Sequence, residues 1–251
     1  MTARIVSNEF AKMKRLRIGL LAAILFSGVA GITAFRAMAS GMFTHLGDAD
    51  GFAWKILLAG LGFSAALISP LVLAVLASRQ VEVEHRGNGW LLAAASGVTP
   101  GHLCRAKFAS VGLLVATATV LQALVLIGFG LTVGITSPFP LEHWVGYTAA
   151  ALVINLAVLA FHILLSAKIE NQLVCMGIAV LGLFIGVFGS ALPDWLSRLF
   201  PWGYYALAAP ADYVGTDLVY LDLPYLSVVV LAVVGTALFL FITSRFDHQE
   251  L

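Results

Sequence analysis

Three polar side chains interrupt otherwise apolar stretches of this sequence: Gln122, Asn155 and His162. Polar groups among apolar ones either hydrogen-bond to a neighbouring helix or line a wet path. His162 is the only one of the three that can carry a proton. Proton- or ion-coupled carriage calls for buried ionisable groups, and the apolar runs here contain no carboxylate. Interhelical hydrogen bonding is the plain expectation for all three, with a substrate path as the functional alternative.

No catalytic set accompanies them. The histidines at 45, 85, 102, 143, 162 and 248 are scattered, and neither HExxH nor CxxC occurs. Cys104 and Cys175 show no metal or redox spacing. No metal site is expected. There is no Gly-Lys dipeptide, so this chain cannot form a GxxxxGK[ST] phosphate loop. The chain is therefore expected to catalyse nothing and to bind no cofactor itself. Beyond a few basic residues beside apolar runs, nothing points to nucleic acid.

The elements that position these side chains follow from composition. Of the 251 residues, 61% are hydrophobic and 11% charged, and mean hydropathy is +0.98. Soluble domains carry about 25% charged residues. Runs free of Asp, Glu, Lys and Arg cover 18–35, 56–78, 108–141, 143–167, 171–193 and 223–244. About 20 apolar residues cross the hydrocarbon layer as a helix. The third run is longer, and the SPFP at 137–140 requires its helix to stop near Gly134. The reading is an all-α membrane protein in one domain, residues 1–251. Its six transmembrane helices lie near 18–38, 54–78, 108–134, 144–167, 172–191 and 224–244. Strand-like alternation over about ten residues is absent, which excludes a membrane β-barrel.

Six spans put both termini on one side. Arg4, Lys12, Lys14, Arg15, Arg17, Arg79, Arg86, Arg105, Lys107, Lys168 and Arg245 lie on that side. Only Arg36, Lys55 and Arg198 lie on the other, with Asp48, Asp50, Glu142, Asp194, Asp212, Asp217 and Asp222. The positive-inside rule makes the termini cytoplasmic.

Three segments outside the spans carry information. Residues 1–17 place Val6, Phe10, Met13 and Leu16 on one helical face, beside Lys12, Lys14 and Arg15. An amphipathic helix in the inner headgroup layer fits this pattern. The outer loop, 191–224, holds Trp195, Trp202, Tyr204, Tyr205, Tyr213 and Tyr220. Such density suits the headgroup level, as a lid over the outer surface or a substrate gate. PDWLSRLF predicts a short helix broken at Pro201. The inner loop, 79–107, contains GWLLAAASG between Gly87/Gly89 and Pro100. A short helix from Trp90 to Ala95 is predicted, docking on a soluble partner or lying on the membrane.

The inner loop also carries a resemblance. PLVLAVLASRQVEVEHRGNGWLLAAASGVTPGHLCRAKF resembles the region after the second span of ABC-2 type permeases, the membrane subunits of ATP-driven exporters. Glu84, Gly89, Leu91, Leu92, Pro100 and Ala106-Lys107 match that pattern in order, and Glu9-Phe10-Ala11-Lys12 resembles its N-terminal E-x-x-K. The proline comes later here than is usual, within GVTP. The resemblance implies a cytoplasmic coupling helix between spans 2 and 3 that touches the ATPase, carried by Glu84, Gly89, Trp90, Leu91, Leu92, Pro100 and Lys107. It implies an ABC ATPase partner in two copies, which holds ATP and Mg. It also implies a second permease, identical or a sister chain, and a bacterial inner-membrane location. Length and span number are similar to the short permeases of lantibiotic and bacteriocin immunity or drug export. The expected substrate is a hydrophobic or amphipathic molecule, a peptide antibiotic or drug. Two other classes stay open on the residues alone: a membrane assembly factor or sensor, and a secondary carrier.

Overall fold

The computed structural model describes residues 2–248. Helix α1 covers Thr2–Arg15 and α2 Ile18–Ala39. The central helix α3 runs Phe52–Arg86, followed by the short α4, Gly89–Ala95. Then come α5 (Pro100–Thr132), α6 (Leu141–Lys168) and α7 (Gln172–Phe188). Two short helices, α8 (Asp194–Leu199) and α9 (Tyr204–Leu207), precede a hairpin and the last helix, α10 (Tyr225–Phe246). Among the described residues, six helices are long and apolar enough to cross a membrane: α2, α3, α5, α6, α10, and α7 with the 3-10 turn after it.

The helix α3 is the hub, packed against α2, α5, α6 and α7. Its most apolar stretch is 72% buried, against 17% for α10, whose exposed Val and Leu side chains suit lipid. At 35 residues, α3 is about 52 Å long, well beyond the roughly 30 Å of hydrocarbon. It continues through Pro70 without a break. Its last turns project from the end of the bundle that carries α1, α4 and the basic residues, here called the basic end.

Helix starts and stops reshape the inner loop. Thr99 caps α5 by accepting from the His102 N–H, and Pro100 occupies the first turn, where its missing N–H costs nothing. The GHLCRAK stretch is thus the opening of α5, and α3 persists to Arg86. Between them α4 ends in a Schellman motif: Val98 N–H donates to Ala93 O, Gly97 N–H to Ala94 O, and Gly97 has φ +74°. Gly134 (φ +87°) closes α5 in the same manner, ahead of SPFP.

The 191–224 segment is less superficial than its aromatics suggest. Trp202, Tyr204, Tyr205 and Ala208 are buried in the core, while Trp195 and Tyr213 face outward. Trp202 meets the rings of Phe161 and His162 of α6 at 4.9 and 5.8 Å. By helical rise His162 lies about 9 Å from Lys168, at the basic end of α6. The segment therefore re-enters the bundle rather than lying over it. A Cβ on Gly182 of α7 would come within 2.5 Å of the Trp202 ring, so that glycine provides the notch. Beyond it, β1 (Ala211–Val214) pairs antiparallel with β2 (Asp217–Tyr220), turning through Gly215 at φ +66°. The hairpin was not expected.

Candidate functional site

The basic end is built around Lys107. Its side chain is 0% exposed, and all three ammonium protons are used. They go to Glu9 Oε2 (2.8 Å), Glu84 Oε1 (2.7 Å) and the Gln80 carbonyl (2.9 Å). Lys12 joins from the rim, donating to Glu9 Oε1 (2.7 Å) and Glu84 Oε1 (2.6 Å). Gln80 Nε2 donates to Glu9 Oε2 at 2.8 Å. Two carboxylates and two ammonium groups thus balance, and they tie α1, α3 and α5 together. Burial pulls the Lys12 ammonium down, but Glu84 and Glu9 more than reverse this and hold its pKa above the ordinary lysine value.

This geometry explains part of the motif. Glu84 packs so closely on Gly89 that a Cβ there would sit 2.8 Å from the Glu84 Cα. It also alters the expected face of α1. Glu9 turns inward with Met13, whereas Phe10, Lys14 and Arg15 point outward and Lys12 bridges.

A second clamp lies across α5. Arg105 donates to Asp247 Oδ2 at 2.8 Å and to Thr243 Oγ1 at 2.9 Å. Thr99 and the His102 backbone N–H also donate to Asp247. Burial raises the Asp247 carboxyl, but Thr99 and Arg105 outweigh it and keep the group below its ordinary 3.8. Gly101 leaves room for this contact, since a Cβ would crowd the Asp247 carboxyl carbon at 2.8 Å.

Between the clamps sits α4. None of its residues is buried, and Leu91 and Leu92 are 58% and 65% exposed. Its side-chain anchor is Trp90, whose Nε1–H donates to His85 Nδ1 at 3.3 Å. Of the sequence-nominated residues, Glu84 and Lys107 are internal, Gly89 packs on Glu84, Trp90 is an anchor, Pro100 starts α5, and only Leu91 and Leu92 project.

The polar residues of the spans are separated from one another. Asn155 is consumed: Nδ2 donates to Thr119 (3.0 Å), and Oδ1 accepts from Tyr205 (2.6 Å). His162 is fully buried, with both ring nitrogens unpartnered among the described residues. Gln122 edges a groove of about 300 Å³ between α2 and α5, with Nε2 unpartnered among the described residues. A separate cavity of about 220 Å³ opens toward the acidic end between α2, α3, α7 and the re-entrant segment. Its walls include Arg36, stacked 4.1 Å from the Phe63 ring, with Tyr205, Asp212 and Tyr213. Sequence reasoning missed Glu9 as a buried group, along with Gln80, His85, Thr99, Arg105 and Asp247. The Gln80/Glu84 spacing of four places both on one face of α3 and was the available signal.

A bundle of six spans bound at one end by buried ion pairs defines a polytopic membrane protein. Residues 5–186 match the family model described as ABC-2 family transporter protein. The chain belongs to that family, whose members are membrane components of transporters that work with an ATPase. No curated relative matches it.

Proposed function

We propose that this chain is the permease subunit of an ATP-driven exporter in a bacterial inner membrane, with its basic end in the cytoplasm. Exposed α4 carries this reading. A helix that buries none of its own residues, yet projects two leucines between two clamped frames, is suited to be moved by something outside the bundle. The expected mover is an ABC ATPase in two copies, which holds ATP and Mg, acting on a pair of permeases. Glu84 and Lys107 serve this coupling by holding α3, α5 and α1 as one body, so that a push on α4 reaches α3. Gly89 keeps α4 tight against that body, and Pro100 fixes where α5 begins.

The substrate class is a hydrophobic or amphipathic molecule, a peptide antibiotic or drug. The mostly apolar groove at Gln122 and the Arg36 cavity suit molecules entering sideways from lipid. Asn155 and His162 support packing of α6 on its neighbours, so a path role for them requires the re-entrant segment to move. Substituting Trp90→Ala is expected to abolish export while leaving membrane insertion and ATP hydrolysis by the partner intact. Undiminished export by that variant overturns the proposal.

A further inference from the structure

His85 has no place in the motif that singled out its neighbours, yet its hydrogen bonds admit one proton arrangement. A carbonyl only accepts, and the Ser166 carbonyl lies 2.9 Å from Nε2, so Nε2 carries a hydrogen. An indole N–H only donates, so Nδ1, facing Trp90, carries a lone pair. Both bonds exist only in the neutral Nε2–H ring. Protonated Nδ1 becomes a donor facing a donor, and the Trp90 bond is lost. An acceptor for it lies at Glu170 Oε1, 3.7 Å from Nδ1 in the turn between α6 and α7.

We infer that neutral His85 is the positioning residue of α4, and that a proton taken from solvent onto Nδ1 releases Trp90 and turns the ring to Glu170. The inference rests on the coupling reading of α4 and adds its regulation: the coupling helix is held firmly at neutral pH and loosened in acid. Among the described residues, the charged groups around the ring are few. Its own helix presents Glu82 and Arg86, already paired with each other at 2.5 Å, and directs Glu84 away into the Lys107 cluster. The end of α6 presents Lys168, 5.3 Å from the Phe246 ring, and the α6–α7 turn presents Glu170. Trp90 of α4, Pro100 of α5 and Phe246 of α10 border the same cleft of about 380 Å³ without charge. Glu170 is 82% exposed in its side chain, free to swing toward an imidazolium.

The test uses the full chain in nanodiscs with no ATPase, so its outcome is independent of whether an ATPase acts on α4. A spin label is placed at Ala94→Cys on exposed α4; native Cys104 and Cys175 are buried and stay unlabelled. Between about pH 8 and 5 the mobile fraction of the label is expected to rise about twofold or more, in one titration. His85→Phe is expected to hold the mobile level at every pH. Trp90→Phe, which leaves the bond to Ser166 intact, is expected to do the same and serves should His85→Phe fail to fold. Glu170→Gln is expected to leave a smaller mobile fraction than the parent at the acid end of the range. A label whose mobility is flat across the range in the otherwise unchanged chain overturns the inference. So does an unshifted titration in Trp90→Phe.

Discussion

Replacing Lys107 with Met tests the frame that holds α1. The ammonium is fully buried and makes two ion pairs and one bond to the Gln80 carbonyl. Removing one partner of a buried pair costs about 3–5 kcal/mol, mostly because charge is left without compensation. Lys12 still touches both carboxylates, at 2.7 and 2.6 Å, which places the cost near about 3 kcal/mol. Lys12→Met is the contrast. Its side chain is 33% exposed and Lys107 remains, so about 1 kcal/mol or less is expected. Both losses fall on the docking of α1, because Glu9 gains water when α1 lifts away. Trypsin cutting at exposed Lys14 and Arg15 reports that lifting. At about 1.4 kcal/mol per tenfold, Lys107→Met should be cut about a hundredfold faster and Lys12→Met less than about tenfold faster. Converting Glu9 and Glu84 to Leu and both lysines to Met should recover most of the protection, since apolar packing replaces a buried ion cluster at little cost. Equal cutting of the two single variants, or a fourfold variant cut faster than Lys107→Met, refutes the reasoning.

Other substitutions probe separate parts. Gly182→Ala should destabilise by about 1–3 kcal/mol through collision with Trp202, whereas Gly177→Ala, with open space around it, should not; thermal melts in detergent compare them. Tyr205→Phe should cost about 0.6–2 kcal/mol by orphaning Asn155 Oδ1, read from the same melts; no change would show that the 2.6 Å bond is not made in the bilayer-derived protein. Asp247, held below its ordinary 3.8, contributes stability that is complete above that value and is lost as pH falls through its lowered folded value. Acid melts should therefore show this limb in the unaltered protein and lose it in Asp247→Asn.

The six spans were legible because a bilayer demands long apolar runs, and 18–35 or 143–167 have no other use. The stop at Gly134 was legible because SPFP bars a helix. The course of the chain at the basic end was harder. Thr99-Pro100 is a helix start, but its cap acts through geometry that hydropathy does not report. Glu84 and Lys107 were placed in the inner loop that meets the ATPase, yet they lie buried because Glu9 and Lys12 come from a different helix to meet them, 98 residues away in the Glu9–Lys107 pair. Phe10 points out and Glu9 in for the same reason: the ion cluster outweighs one exposed ring. The re-entrant course of Trp202 and Tyr205 was hidden because aromatic density reads alike at a headgroup surface and in a core. The notch at Gly182 that receives the Trp202 ring is a tertiary fit that no local pattern reports.

The central claim is that an external ATPase drives this permease through α4. It is tested by isolating the full chain in mild detergent from its own cells and assaying ATP hydrolysis in the purified complex, beside a Leu91→Glu/Leu92→Glu variant. Both leucines are exposed, so the variant should insert and melt as the parent does. A Walker-motif ATPase that accompanies the parent, with its hydrolytic activity, and is lost from the variant is the predicted result. An active parent without such a subunit, or a variant that retains it in full, contradicts the claim.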